Sequence, residues 1–264
     1  MSSAVKEQVI YRIANAPISE YPYPHFYLED VFPTQFYAEL RANWPDSSSL
    51  VSLPDTGRVT KGLYEERFVL PLNAKGISRL SEDRRAFWTE FGRWFMAPRF
   101  LTAMVDKFDR YVQARFGPEI DQVKFEADAL VVRDHTNYKI GPHTDAPHRL
   151  LSLLFYCPDD DTMKHLGTSI YVPLDPNFRC QGGRHHKHAQ FQRIRTMEYK
   201  PNSLFAFFKT DNSFHGVEPI SEQNIERDVL LYDIQIDKNQ MQEPAKSTGF
   251  GLKMLQRLVT REQK

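Results

Sequence analysis

Short apolar segments separated by turn residues occupy the second half of the chain. Residues 123–127 alternate between apolar and polar positions, and residues 130–132 form a short apolar run. Comparable segments follow at 149–156, 168–172, 190–198, 203–208 and 227–236. Many short strands with turns between them are typical of a β-sandwich or β-barrel. The pattern therefore predicts a mainly β core over residues 120–238.

The first 118 residues show a different pattern and predict a helical and extended region that supports this core. Prolines and aromatic residues are dense over residues 17–33, which favours an extended segment because proline disfavours helix. Thr34 is in position to cap a helix that runs to about Trp44. Residues 46–76 are expected to form loops with short strands.

Two further helices are predicted between residues 81 and 117. Ser81 is a candidate cap for the first, and Pro98 stands at the expected first turn of the second, which ends at Gly117. Apolar residues recur three and four positions apart in both helices. An aromatic cofactor box is an alternative for the aromatic residues, but helical spacing favours a packing face. In the first helix these residues are Phe87, Trp88, Phe91, Trp94 and Phe95.

Composition predicts one cytoplasmic domain. The chain has 264 residues without a clear linker, so we expect a single domain over 1–264 with a C-terminal tail at 239–264. Lys+Arg and Asp+Glu both number 34, so no net field favours nucleic acid or an anionic membrane. Two cysteines without metal spacing favour a reduced intracellular chain. The N-terminus has no apolar signal core, and the longest apolar run is too short to cross a membrane.

Three side chains are candidate metal ligands. His143 and Asp145 are two residues apart, so on an extended strand both point to the same face. His215, which follows the apolar segment 203–208, offers a second imidazole. Two nitrogens and one oxygen on one face of a metal leave the opposite face open, as in non-haem Fe(II) oxygenases.

Five stretches occur in an order that resembles the Fe(II)- and 2-oxoglutarate-dependent dioxygenases, most closely their prolyl 4-hydroxylase-like branch. The stretches are 138–145, 166–173, 201–208, 215–220 and Arg227. Together they are far more specific than a lone His-x-Asp pair. The resemblance implies a double-stranded β-helix, a jelly-roll or cupin-like core whose three metal ligands meet at one mouth of the barrel.

The resemblance also implies a role for each of these residues. His143, Asp145 and His215 would bind Fe(II), while Arg227 would hold the C5 carboxylate of 2-oxoglutarate through its planar fork. An ion pair with Asp228 or Glu226 is the alternative for Arg227. Many members carry a hydroxyl residue two positions after the arginine, but this chain has Val229 there. The second contact must come from elsewhere, and Tyr138 is the candidate.

The expected reaction is hydroxylation of a small molecule by Fe(II), 2-oxoglutarate and O2, with release of succinate and CO2 and with ascorbate as a stimulant. Halogenases of this type resemble hydroxylases that lack the carboxylate ligand, so the presence of Asp145 favours hydroxylation. A protein hydroxylase is one alternative. Another is a cupin-like metal protein without redox chemistry, such as an isomerase or a sugar-binding module. Arg227 separates these, because such a module needs no carboxylate clamp.

A basic segment at 179–195 contains three histidines and several arginines. It lacks a cysteine pair, and its histidines lack helical spacing with a carboxylate, so a loop is favoured over a second metal site. The loop is a candidate lid, and its charge suggests an anionic substrate that contacts Arg184 and Arg193. Four residues that flank the metal motif are candidates to line the pocket, with a solvated loop position as the alternative for each: His135, Asn137, His148 and Arg149. The oligomeric state is not predicted.

Overall fold

The computed structural model describes residues 3–237, so the predicted tail at 239–264 lies outside the described residues. Strands and helices agree with most of the predicted segments, although α1, α3 and β10 were not predicted and the strand expected to carry both His143 and Asp145 ends at His143. The strands in this part of the chain are β1 (His25–Leu28), β2 (Val51–Ser52), β3 (Arg67–Pro71), β4 (Phe125–His135), β5 (Ile140–His143), β6 (Arg149–Tyr156), β7 (Thr168–Pro173), β8 (Phe191–Met197), β9 (Ser203–Phe208), β10 (His215–Val217) and β11 (Glu226–Ile236). The helices are α1 (Ser3–Asn15), α2 (Thr34–Ala42), α3 (Ala74–Ile77), α4 (Glu82–Phe95), α5 (Pro98–Lys107) and α6 (Asp109–Phe116).

Two antiparallel sheets contain these strands. The larger has the order β1-β9-β6-β11-β4-β3-β2, and the smaller has the order β5-β10-β7-β8. Among the eight strands from β4 to β11, four lie in each sheet, and the chain crosses repeatedly between the sheets. This is the double-sheet jelly-roll arrangement of cupins. The predicted double-stranded β-helix is therefore confirmed by the strand order.

Alternation along the larger sheet separates two apolar cores. On β11, Leu230, Tyr232 and Ile234 pack against the helices, whereas Val229 belongs to the core between the sheets. Because successive side chains on a strand point to opposite faces, Arg227 shares the inner face of Val229. The site of interest is therefore inside the barrel, and the helical layer supports it from outside.

The predicted helices of this layer lie where the sequence indicated, but three details of their ends differ. Thr34 is the first helical residue and Pro33 holds the cap position, so the predicted Thr34 cap is wrong. Ser81 does occupy the cap position of α4, but its side chain makes no capping hydrogen bond. The helix predicted between Pro98 and Gly117 is divided at Phe108 into α5 and α6.

Two smaller expectations can also be compared with the structure. Cys157 and Cys180 are free thiols, the first buried and the second partly exposed. None of the helices between residues 3 and 237 combines the length and the apolar character that crossing a membrane would require.

Phe91 lies at the centre of the helical layer. Phe91 is fully buried. Rings from α2, from α4 and from the segment before α2 surround it at centroid distances between 4.7 and 6.4 Å. These rings belong to Phe32, Phe36, Phe87, Trp88, Trp94 and Phe95. The aromatic stripe is therefore a packing face.

We predict that Phe91→Ala lowers the free energy of unfolding by about 3–5 kcal/mol, because it removes a large buried ring and leaves a cavity. Urea denaturation followed by circular dichroism measures this change. Tyr11→Ala is the control, since Tyr11 is 69% exposed on α1, and its effect should stay within about 0.5 kcal/mol. Equal losses in the two variants would contradict a packing role for Phe91.

Candidate metal centre

His143, Asp145 and His215 come together at the edge where β5 pairs with β10. His143 ends β5, His215 begins β10, and the two are direct cross-strand partners with ring centroids 4.3 Å apart. Asp145 lies just beyond the end of β5 rather than on it, yet its carboxylate still faces both imidazoles. The possible ligand atoms of the three residues all lie within 4.8 Å of one another.

Backbone carbonyls fix the orientation of both imidazole rings. Nδ1 of His143 lies 3.0 Å from the carbonyl oxygen of Gly141, and Nδ1 of His215 lies 3.0 Å from that of Ser213. A carbonyl only accepts hydrogen bonds, so each Nδ1 carries the proton and donates it. The two Nε2 atoms then present lone pairs toward Asp145, as is usual for histidines that bind metal.

The gaps between these atoms suit a shared ion better than a hydrogen bond. Nε2 of His143 lies 3.9 Å from Oδ1 of Asp145, and Nε2 of His215 lies 3.8 Å from the same oxygen. Both separations exceed hydrogen-bond distances. An ion with ligand bonds of about 2 Å is accommodated between atoms at such separations.

The electrostatics of the site keep all three groups in the protonation state that binds metal. Burial, and then the nearby His215, lower the pKa of His143 to about 3. Burial is also the main cause that lowers the pKa of His215. For Asp145, burial alone would raise the pKa, but His215, Arg149 and His143 outweigh it and hold that pKa well below its usual range. Neutral imidazoles and an ionised carboxylate are the forms that coordinate metals.

Ser152 orients the carboxylate and was not identified from the sequence. Its hydroxyl on β6 donates a 2.7 Å hydrogen bond to Oδ2 of Asp145, which leaves Oδ1 facing the histidines. The available signal was that Ser152 interrupts an otherwise apolar run from Leu150 to Cys157. A hydroxyl inside a buried strand needs a partner, and here the partner is a candidate ligand.

The basic segment is bonded to the ligand-bearing stretch. The amides of Gly183 and His186 donate 2.9 Å hydrogen bonds to the carbonyls of Thr144 and Pro142. Gly182 has a φ of +132°, and a Cβ there would lie 1.8 Å from the carbonyl oxygen of Asp145. Residues 179–190 are thus a loop between β7 and β8, as predicted, whereas residues 191–195 belong to β8.

Tyr64 and His185 form a wall beside the metal ligands that sequence reasoning missed. The Tyr64 hydroxyl lies 2.6 Å from Nε2 of His185, and the His185 ring lies 4.8 Å from the ring of His143. The loop that carries Tyr64 joins β2 to β3, so two distant loops meet at this point. Between residues 3 and 237, the histidines of the basic segment belong to no second group of possible metal ligands.

Arg227 lies fully buried inside the barrel, in a row of charged residues that crosses three strands. Its Nη1 donates to Asp134 at 2.8 Å and its Nε donates to the carbonyl of Leu166 at 2.6 Å. Arg67 donates two further bonds to Asp134, at 2.6 and 2.9 Å. The alternative considered for Arg227, an ion pair with Asp228 or Glu226, is not formed. Asp228 binds Arg133 and Arg41 instead.

Two guanidinium groups therefore share one carboxylate at this end of the barrel, which leaves one positive charge uncompensated. The Nη2 atom of Arg227 is buried and has no hydrogen-bond partner within the described part of the chain. Such a donor is costly unless a ligand satisfies it. The arrangement fits an anion that enters the barrel beside Arg227.

Tyr138 and Thr168 carry two more buried oxygens without partners among residues 3–237. The guanidinium of Arg67 lies 4.5 Å from the centroid of the Tyr138 ring. The amide of Thr168 donates to the Tyr156 hydroxyl at 3.0 Å, and Arg227 lies 5.5 Å from the centroid of the Tyr156 ring. The ring of Tyr156 on β6 thus lies beside Arg227, while Val229, two positions along β11, is apolar.

Comparisons with known proteins give structural neighbours only. No protein-family model matches the sequence, and no curated protein matches it. A prolyl 4-hydroxylase structure from Phytophthora capsici is 14% identical, with 98% of this chain and 76% of that chain covered and a TM-score of 0.48. A Trichoplax adhaerens prolyl hydroxylase, solved with a peptide fragment of hypoxia inducible factor, is 10% identical, with 91% and 93% covered and a TM-score of 0.48. A 2OG-Fe(II) oxygenase family structure from Burkholderia pseudomallei is 11% identical, with 89% and 91% covered and a TM-score of 0.42. At these identities and TM-scores, function has to be argued from the geometry of the site.

We predict that His143→Ala and Asp145→Ala each abolish Fe(II) binding while the protein stays folded, because each removes a ligand from a three-ligand set. Anaerobic calorimetric titration measures binding, and circular dichroism measures folding. His165→Ala is the control, since His165 is an exposed histidine paired with Glu222. Full binding by Asp145→Gly would exclude the carboxylate as a ligand.

Ser152→Ala should weaken Fe(II) binding by about 10–100-fold without abolishing it, because the ligand carboxylate loses the bond that orients it. The same titration gives the dissociation constant. Ser169→Ala is a matched control, since Ser169 is a buried strand serine that bonds to Thr196 instead. If both serine variants bind Fe(II) like the unsubstituted protein, Ser152 has no role in orienting Asp145.

Proposed function

We propose that this protein is a non-haem Fe(II), 2-oxoglutarate-dependent oxygenase that hydroxylates a small molecule and releases succinate and CO2. The observation that carries the proposal is the set of His143, Asp145 and His215 at one mouth of a double-stranded β-helix. A buried arginine with an unsatisfied donor lies inside the same barrel. The three candidate ligands correspond to Fe(II), and the buried arginine corresponds to 2-oxoglutarate.

The donor set fits Fe(II). Two neutral imidazoles and one carboxylate occupy one face of an ion and leave the other positions open, which is the ligand type of non-haem Fe(II) oxygenases. Closed structural zinc sites instead use four protein ligands. Between residues 3 and 237, no fourth His, Cys, Asp or Glu belongs to the group.

The barrel interior fits the distal carboxylate of 2-oxoglutarate. Arg227 offers Nη2, a planar guanidinium donor matched to a carboxylate oxygen. A carboxylate there would balance the positive charge that Asp134 leaves uncompensated between Arg67 and Arg227. Tyr138 keeps its predicted role as a second contact, and Thr168 is a further candidate because its hydroxyl also has no partner in the described barrel.

The residues of this chain would divide the work of the reaction as follows. Fe(II) held by these residues would supply, with 2-oxoglutarate, the activation of O2: one oxygen atom would enter succinate, the C1 carboxylate would leave as CO2, and the other oxygen atom would enter a C–H bond of the substrate. His143, Asp145 and His215 hold the ion from one face, while Ser152 keeps Oδ1 of Asp145 directed at it. Arg227 fixes the far end of the cosubstrate. Buried apolar side chains between the sheets, such as Val217 and Val229, exclude water around it.

The alternatives differ in what they leave unexplained. A cupin-like isomerase or sugar-binding module has no need of a buried cation with a free donor inside the barrel, so Arg227 favours the oxygenase. Asp145 occupies the ligand position, which favours hydroxylation over halogenation. A protein hydroxylase would use the same centre, and assays with peptide and small-molecule pools separate the two substrate classes.

We predict that Arg227→Met strongly reduces succinate formation from 2-oxoglutarate while Fe(II) binding is retained, because the variant removes the carboxylate anchor but no metal ligand. Asp134 would keep Arg67 as its partner. Succinate is measured by mass spectrometry in the presence of Fe(II) and ascorbate. The KM for 2-oxoglutarate, where turnover remains measurable, should rise by at least about tenfold.

Arg133→Met is the matched control for this experiment. Arg133 lies on the opposite face of the same sheet and binds Asp228. When Arg133 is removed, Asp228 retains Arg41 as its partner, in the same way that Asp134 retains Arg67 when Arg227 is removed. Both variants lose one of two guanidiniums from a shared carboxylate, so both should lose stability. Only Arg227→Met should change the response to 2-oxoglutarate, and equal responses would exclude Arg227 from the cosubstrate site.

A further inference from the structure

Two cations, one buried and one half-buried, have no role in the reaction described above. Lys209 is 6% exposed, and within residues 3–237 its ammonium donates only to the adjacent carbonyl of Thr210. Arg115 is half-buried, and in the same part of the chain it donates only to the carbonyls of Arg149 and Pro147, while its Nε has no partner. Neither lies within 4.0 Å of a carboxylate in the part of the chain that the structure describes.

Both cations are attached to the start of β6, the strand that also orients the metal-ligand carboxylate. The backbone amide of Lys209 donates to the carbonyl of Leu150, next to the Arg149 carbonyl that Arg115 binds. Phe205 and Phe207 on β9 belong to the core between the sheets, and Lys209 continues their alternation. Lys209 is two positions beyond Phe207 and follows the last residue of β9. It therefore lies on the inner face at the mouth of the barrel.

Arg149 completes this basic cluster, which we define as Arg115, Arg149 and Lys209. Arg149 forms an ion pair with Asp233, and its Nε is buried without a partner within residues 3–237. The ring of Phe207, two positions before Lys209, lies 4.4 Å from the ring of His215. Arg149 begins β6, the strand on which the Ser152 hydroxyl donates to Asp145. The cluster is therefore attached to the two strands that contact the candidate ligands.

Charge balance at the mouth points to an anion. The cluster contributes three positive charges, of which Asp233 compensates one. Asp145 would be shared with a divalent ion, so the metal adds more positive charge than this carboxylate removes. Burial, and then repulsion from Arg115, lower the pKa of Lys209 to about 8, and the carboxylates of Asp145 and Asp211, which act in the opposite direction, do not offset these two causes. Uncompensated buried charge is costly unless a ligand pairs with it.

We propose that the basic cluster binds an oxyanion of the substrate, a carboxylate or a phosphate, with Lys209 as its principal contact. The inference rests on the proposed function and adds a substrate class to it: a small anionic molecule held beside the metal. The distal carboxylate of 2-oxoglutarate has its own place at Arg227, so the two anion sites are separate. A substrate anchored at Lys209 would place its neighbouring carbons close to the metal ligands.

This location differs from the one that the sequence suggested for an anionic group. Arg193 of the basic segment lies on an exposed part of β8 and faces Glu218 at 3.7 Å. Arg184 is exposed on the loop. Charges in those positions are surrounded by water, where an anion gains little from them. The buried Lys209, with the half-buried Arg115 and Arg149 beside it, is the stronger anion site.

The test uses Zn(II)-loaded protein with 2-oxoglutarate present, and either acetate or inorganic phosphate as the probe. Thermal unfolding midpoints are measured against probe concentration at constant ionic strength, with chloride as the reference salt. We expect the better probe to raise the unfolding midpoint above its value in chloride, because a ligand that binds the folded state stabilises the folded state. Comparison of acetate with phosphate shows which oxyanion the cluster prefers.

Lys209→Met should raise the apparent dissociation constant of the probe by at least about tenfold, since a charge-assisted contact is lost, while Lys209→Arg should retain part of the effect. Lys107→Met is the matched control, because Lys107 is likewise a lysine that donates only to backbone carbonyls, far away on α5. No response above chloride in the unsubstituted protein would overturn the proposal. An unchanged response in Lys209→Met would also overturn it.

Succinate formation and Fe(II) binding are measured on the same preparations, so the two proposals can fail separately. Succinate formation that depends on Arg227, without any probe effect, would reject the anion site and leave the oxygenase intact. A probe effect that depends on Lys209, in a protein that neither binds Fe(II) nor forms succinate, would retain the anion site and reject the oxygenase.

Discussion

The antiparallel pairing of β5 with β10 is the constraint on which the site depends. It places His143 directly opposite His215, and one backbone carbonyl next to each ring fixes the proton on Nδ1. Neither imidazole then needs to reorient to meet an ion, so most of the entropy cost of ordering the ligands is met during folding. Asp145 is held differently, by the hydroxyl of Ser152 on the opposite sheet. The metal centre therefore forms only when both sheets are assembled.

A second constraint is the distribution of charge inside the barrel. Two carboxylates on adjacent positions of neighbouring strands, Asp134 and Asp228, each accept hydrogen bonds from two arginines, one on each face of the larger sheet. On the outer face, Asp228 binds Arg41 and Arg133 near solvent. On the inner face, Asp134 binds Arg67 and Arg227, and Arg227 retains an unsatisfied donor in an apolar interior. That difference, more than the mere presence of an arginine, is the reason why we propose a ligand site at Arg227 and a structural ion pair at Asp228.

Most of the strands and all three candidate ligands could be predicted from the sequence, because apolar alternation and the His-x-Asp spacing are local properties. What could not be predicted depends on contacts between distant segments. The 3-residue strand β10 is too short to show a pattern, and the bend at Phe108 divides a helix whose apolar spacing continues through it. The Asp134 partner of Arg227 lies 93 positions away. Tyr64 and His185, 121 positions apart, meet only because two loops converge.

The loop that carries His185 has a consequence for how the site responds to its ligands. Its amides are hydrogen-bonded to the backbone of Pro142 and Thr144, the residues on either side of His143. A molecule that displaces this loop would break bonds on both sides of His143, the proposed metal ligand, and an ion that fixes this imidazole would favour the bonded position of the loop. Thermodynamic linkage makes the effect reciprocal: whatever factor substrate binding applies to the affinity for metal, metal applies to the affinity for substrate. Occupancy of one site would thus be communicated to the other through two backbone hydrogen bonds.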